Sequence, residues 1–355
     1  MGQQARHRAT TRMQEPAEER PAQALGADGG HGARARAARA RPPLWARVAG
    51  GFGIGVLAAV VGLAPWLATG ARLPLQNLWA EPTLPEAMPL SALPVSQYLT
   101  DGLVALMVAG GLVAGLAARR WGRGGGVAVG AAAAGLLAVQ LAATAQSFGL
   151  LDTGLLPGSR SDLYVMGLRG GVLASTALAV LVLLLVAARR GGAAALGIGL
   201  AAVPFAEWLY LWAVPPFEPS DLPGQLLLLI RWVPAVLVGL ALAWYSAVGG
   251  GRGRSAANAG TNAGAQPSPA RAALAAVWVV DLAVLWVFPA LLIGIEAALG
   301  SRVYLGDWAM MAQSARTAVR VQLLAGWGPV LLAAVVGAVG AVALLRLRAA
   351  RLPRP

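Results

Sequence analysis

The chain has 355 residues, 57% of them hydrophobic and 12% charged, which is too apolar for a soluble domain. Cysteine and lysine are both absent, and the two histidines, His7 and His31, lie near the N-terminus. This composition excludes disulfides, thiolate catalysis, lysine-bearing phosphate loops and Schiff bases, and it leaves the apolar body without histidine for metal or haem.

Residues 1–43 are rich in Ala, Arg, Gly, Glu and Pro without apolar periodicity and predict a disordered tail. The remainder, 44–355, predicts a helical bundle. Its first apolar run, Val48 to Gly70, is long enough to cross about 30 Å of hydrocarbon and follows too long a leader for an ordinary signal peptide. Arg72 to Tyr98 carries prolines at 74, 82, 85, 89 and 94, which forbid a continuous helix and favour an extended loop. Further spans are predicted over Leu99 to Ala118, Gly125 to Ser147 and, after a loop holding Asp152, Arg160, Asp162 and Arg169, Gly170 to Ala188. The fifth and sixth, Ala193 to Val214 and Gly224 to Val248, form a hairpin, followed by a flexible linker at 249–271. The seventh is Ala272 to Ile295. An amphipathic helix capped by Asp307 then precedes the eighth, Val330 to Leu345. The fold class expected is an all-α integral membrane protein of about eight transmembrane helices.

All 28 basic side chains are arginine, and their placement is one-sided. Loops on the side of the termini hold Arg119, Arg120, Arg123, Arg189, Arg190, Arg252, Arg254 and Arg271, plus the four arginines of the C-terminal tail, and no acid, whereas the opposite loops hold Arg72, Arg160, Arg169, Arg302, Arg316 and Arg320 against Glu81, Glu86, Asp101, Asp152, Asp162, Glu218, Asp221, Glu296 and Asp307. By the positive-inside rule both termini are expected in the cytoplasm. The net charge of +13 is therefore read as an orientation signal, with a basic tail suited to anionic lipid headgroups and not to nucleic acid, since the tail lacks groove-reading structure.

The candidate functional residues form an intramembrane charge network of Glu207, Arg231 and Asp281. Glu207 and Arg231 each lie seven residues inside their helix of the hairpin, about 10 Å deep at about 1.5 Å per residue. Opposite charges at matching depth suggest a contact pair. Pro204 and Pro234 stand beside them, where a helix can bend and release backbone carbonyls. Asp281 lies deeper, near mid-membrane. Two readings stand: a packing device, or residues lining an ion or substrate path. The stripe Gln140, Thr144 and Ser147 has the same two readings, interhelical bonding being the commoner role. The glycines at 51, 53, 55, 111, 115 and 337 lie inside apolar spans and predict close helix packing, not nucleotide loops. The acid pairs Glu81 with Glu86 and Glu218 with Asp221 read as products of topology.

The segments RLPLQNLWA, LPEAMPL and LPVSQY, within Arg72 to Tyr98, resemble the first extracytoplasmic loop of uncharacterised actinobacterial polytopic integral membrane proteins. The resemblance implies a multispan protein with no assigned activity and adds no site residues. With arginine in place of lysine, heavy Ala, Gly and Pro usage and very little Ile, as a high-GC bacterial genome encodes, it implies the plasma membrane of a Gram-positive bacterium. The function expected from these observations is that of an accessory or interaction protein, without cofactor or metal and not an enzyme. The alternative is a secondary transporter or permease-like protein using Glu207, Arg231 and Asp281.

Overall fold

A computed structural model describes residues 43–75, 78–121, 125–214, 223–257, 269–300 and 306–350. The predicted tail at 1–43 lies outside them save for Pro43, as do Glu218 and Asp221. Among the described residues ten α-helices follow in order: α1 Leu44–Ala68, α2 Thr100–Trp121, α3 Gly125–Gly154, α4 Ser159–Ala187, α5 Gly191–Ala213, α6 Gly224–Ile230, α7 Val233–Ala257, α8 Pro269–Gly300, α9 Trp308–Ala325 and α10 Trp327–Ala350. Among the described residues eight helices are long and apolar enough to cross a membrane, α6 and α7 together making the sixth. No strand is present among the described residues, only two isolated bridges. The protein is a polytopic membrane protein.

Two boundaries differ from the sequence reading. Asp152 lies inside α3, and Arg160, Asp162 and Arg169 lie inside α4, so the expected charged loop shrinks to the few residues after Gly154. The helices outrun their apolar stretches because their charges settle on one another and on rings at the exposed ends. Arg169 Nη2 donates to Asp152 Oδ1 at 2.9 Å, and its guanidinium lies 5.3 Å from the Phe148 ring. Likewise α7 continues to Ala257 and α8 begins at Pro269, so the interhelical part of the expected linker is confined to 258–268, outside the described residues.

Each half of the chain builds its own core. The first joins α1 to α4 around Leu63, Leu106, Leu136 and Leu183. The second joins α5, α7, α8 and α10 around Ala202, Val238, Leu242, Leu285 and Ala333. A seam from α2, α4 and α5, including Val108, Val182 and Ala201, lies between them. Small residues set the spacing. A Cβ at Gly55 would stand 2.7 Å from the Leu136 backbone nitrogen, and one at Gly111 would stand 2.8 Å from the Ala179 carbonyl carbon, so the expected close packing is present at both. Gly53, by contrast, faces open space, because it lies on the side of α1 away from α3.

The proline-rich loop is a packed lid rather than a strand-like excursion. Gly70 and Ala71 have positive φ and turn the chain back over the helix ends, where Leu73, Leu75, Met88, Leu93 and Val95 are fully buried. Trp66 Nε1 donates to Ser91 O at 2.8 Å, and Ser147 Oγ accepts from Leu93 N at 3.0 Å and bonds Ser91 Oγ at 2.9 Å. Gln140 Nε2 donates to Met107 O at 3.0 Å, while Thr144 Oγ1 bonds back to Gln140 O. The polar stripe therefore serves packing and lid attachment. At the arginine-rich end, Arg119 donates to Val186 O and Ala188 O and lies over the Trp244 ring, closing the last turn of α4.

Candidate functional site

The sixth span is broken where its charge sits. Arg231 and Trp232 form a turn between α6 and α7, and Trp232 N donates to Leu229 O in a tightened turn at 3.0 Å. The cause is Pro234, which has no N–H to offer Ile230 O. The bend expected from Pro234 is thus present, whereas α5 passes through Pro204 unbroken.

The break borders a cavity of about 490 Å³, within the usual size range for small-molecule sites. Its walls come from seven helices: Glu207 and Tyr210 from α5, Leu227 and Ile230 from α6, Pro234 from α7, Leu285, Trp286, Pro289 and Glu296 from α8, Gln322 from α9, Pro329 from α10 and Asp101 from α2, with Arg231 at the break. The local geometry explains why Glu207 faces inward. Trp208, one position on, turns about 100° around the helix and donates Nε1 to Gly62 O on α1 at 2.9 Å, stacked at 5.6 Å on Phe205. Val203, Glu207 and Tyr210, three and four residues apart, share the opposite face. Trp286 is fixed as firmly: its Nε1 donates to Leu323 O at 2.9 Å and its ring lies 4.5 Å from that of Trp327. Together with Val319 against Gly294, this sets α9 antiparallel to the end of α8 as a wall of the site.

The electrostatics are lopsided. Three carboxylates, Asp101, Glu207 and Glu296, share the cavity with one guanidinium. Both glutamates stand close enough to Asp101, and Glu207 to Glu296, for their charges to interact. Asp101 is in addition bonded to Gly102 N at 2.9 Å. Among the described residues, however, no three acids converge as ligands of a metal ion. The carboxylates are distributed around a space, not gathered on a point.

Comparison with protein-family models, with curated proteins and with solved structures gives no match to the chain. Chemistry alone must therefore identify the site.

The structure brings two of the three sequence candidates together and sets the third apart. Glu207 and Arg231 line one cavity, but among the described residues no ion pair or hydrogen bond joins them, contrary to the contact expected from equal depth. The reason is the helix break: Arg231 leaves the α6 axis in a turn and its side chain is exposed. Asp281 is outside the cavity lining, 1% exposed, packed against Gly199 of α5. Glu296 and Asp101 were missed as site residues because each falls at the end of an apolar run, where sequence alone reads a charge as loop or helix terminus. Their signal was the acidic side of the topology, which contains both. Glu81 and Glu86 are exposed on the lid, away from the cavity.

Proposed function

We propose that the protein is permease-like: a plasma-membrane protein, termini inward, whose cavity admits a small organic cation with an apolar body. The observation that carries this reading is the distribution of Asp101, Glu207 and Glu296 around an apolar-walled space of about 490 Å³. A carboxylate inside a membrane span is costly and characteristic of substrate and ion paths, and Glu207 is one, with Asp101 and Glu296 beside it at the ends of their helices. Their separation suits an ammonium or phosphonium centre carried on a hydrophobic frame better than a bare metal ion. The discontinuous sixth span supports it further, since transporter sites are commonly built where a helix is interrupted. An accessory protein held together by a Glu207–Arg231 pair would need that pair closed. The one-sided arginines support the orientation.

The test is charge selectivity at constant shape. Tetraphenylphosphonium and tetraphenylborate differ in the sign of their charge and hardly in form. Equilibrium dialysis on the detergent-purified full chain should show saturable binding of the cation and not of the anion. Glu207→Gln should weaken it about tenfold, the equivalent of about 1.4 kcal/mol. Equal uptake of both ions, uptake of neither, or indifference to Glu207→Gln would overturn the reading.

A further inference from the structure

We infer that Asp281 is a proton-binding site lying one helical turn behind the cavity, and that its proton is exchanged for the cation the cavity admits. The exchange rests on the function proposed above, whereas the proton site rests on the surroundings of Asp281 alone.

The geometry runs along two helices. Gly192 of α5 lies beside Val277 of α8, and Gly199 lies beside Asp281, so the two helices run in the same direction. Four residues further on each stand Val203 and Leu285, both of which line the cavity. Asp281 therefore sits about 6 Å along the helix axis from that lining, between the cavity and the arginine-rich end. Both its carboxyl oxygens are buried without a hydrogen-bond partner. Gly199 provides the space they occupy: a Cβ there would come within 2.8 Å of Asp281 Cγ, and nearer still to Oδ1. Around it the second core is apolar, with Ala202, Val277 and Leu285.

A packing role for Asp281 requires a donor that the carboxylate satisfies, and none is present among the described residues. The charged groups with described side chains on the packed elements are Glu207 on α5, Arg231 at the α6–α7 break, Glu296 on α8, Asp101 on α2 and, towards the other end, Arg119 and Arg120 on α2, Arg271 on α8 and Arg346 and Arg348 on α10, and none bonds to it. Tyr245 of α7 approaches Gly192 and does not bond to Asp281. An ionised carboxylate in such a place has nothing to offset its desolvation, so at rest it carries a proton. A cation arriving in the cavity brings positive charge to within a turn or two, through an interior that screens poorly, and favours loss of that proton. One positive charge enters and one proton leaves to solvent. The only bond broken is O–H, and it re-forms when the cation departs.

Two measurements on the purified full chain decide it. In weakly buffered detergent with a pH indicator, binding of tetraphenylphosphonium should release about one proton per cation bound, and Asp281→Asn should bind the cation within about threefold of the parent while releasing none. Equal release from Asp281→Asn would overturn the exchange and leave the cavity reading intact. The second measurement needs no ligand: the infrared carbonyl stretch of a protonated carboxylic acid should be present at neutral pH and lost in both Asp281→Asn and Asp281→Ala. A parent without that band, or a band that survives both substitutions, would overturn the proton site. Absence of phosphonium binding together with a normal band would sink the function proposed above and the exchange, not the proton site.

Discussion

Gly199→Ala tests the register of α5 against α8, on which the placement of Asp281 depends. The added methyl would stand 2.8 Å from Asp281 Cγ and closer to Oδ1, so either the carboxyl or the helix separation must yield. Overpacking of this kind costs about 1–3 kcal/mol. Opposing it, alanine is favoured over glycine within a helix by up to about 1 kcal/mol. The net expected loss is roughly 0–3 kcal/mol in the parent. In an Asp281→Ala background the obstructing carboxyl is gone, and the new methyl fills part of the space it leaves. There Gly199→Ala should be neutral or stabilising by up to about 1 kcal/mol. The double-mutant cycle should therefore return a coupling of about 1–3 kcal/mol, well above the scatter of independent sites. Reversible unfolding of the four variants in mixed micelles, read by tryptophan fluorescence, supplies the four free energies. A coupling indistinguishable from zero would show that the two side chains do not meet, and the position of Asp281 beside the cavity would fall with it.

Ser147→Ala leaves Leu93 N without its buried acceptor, while Ser91 Oγ keeps its bond to Leu93 O, and should destabilise the protein by about 1–3 kcal/mol, with proteolysis of the lid rising in step; an unchanged unfolding midpoint would count against lid docking. The orientation predicts that a cysteine placed at Asn262 in the otherwise cysteine-free chain stays unlabelled by a membrane-impermeant maleimide in intact cells and reacts after permeabilisation. Labelling in intact cells would invert the topology.

Class and span positions were legible in the sequence because both follow from summed transfer energy along the chain: an apolar run near twenty residues is a local property that needs no partner. A bend was expected equally at Pro204 and Pro234, and only the second helix is interrupted: the missing donor is legible in the sequence, but whether the helix breaks there is decided by packing. Close packing at Gly55 and Gly111 was also readable, while Gly53, two residues away, has no neighbour, because spacing shows that residues are small and not which face meets another helix. Equal depth of Glu207 and Arg231 gave their height in the membrane but not their azimuth. Tertiary packing decided that both border a cavity and do not touch, since Trp208 pinned to Gly62 fixes the rotation of α5 and the turn at Arg231 redirects the other chain. It also added Asp101 and Glu296, which are far apart in sequence and are brought to one space from α2 and α8. Asp281 shows the division most plainly: its cost in the membrane is intrinsic to the residue, but the notch at Gly199 and the lack of any donor exist only once α5 and α8 are packed together.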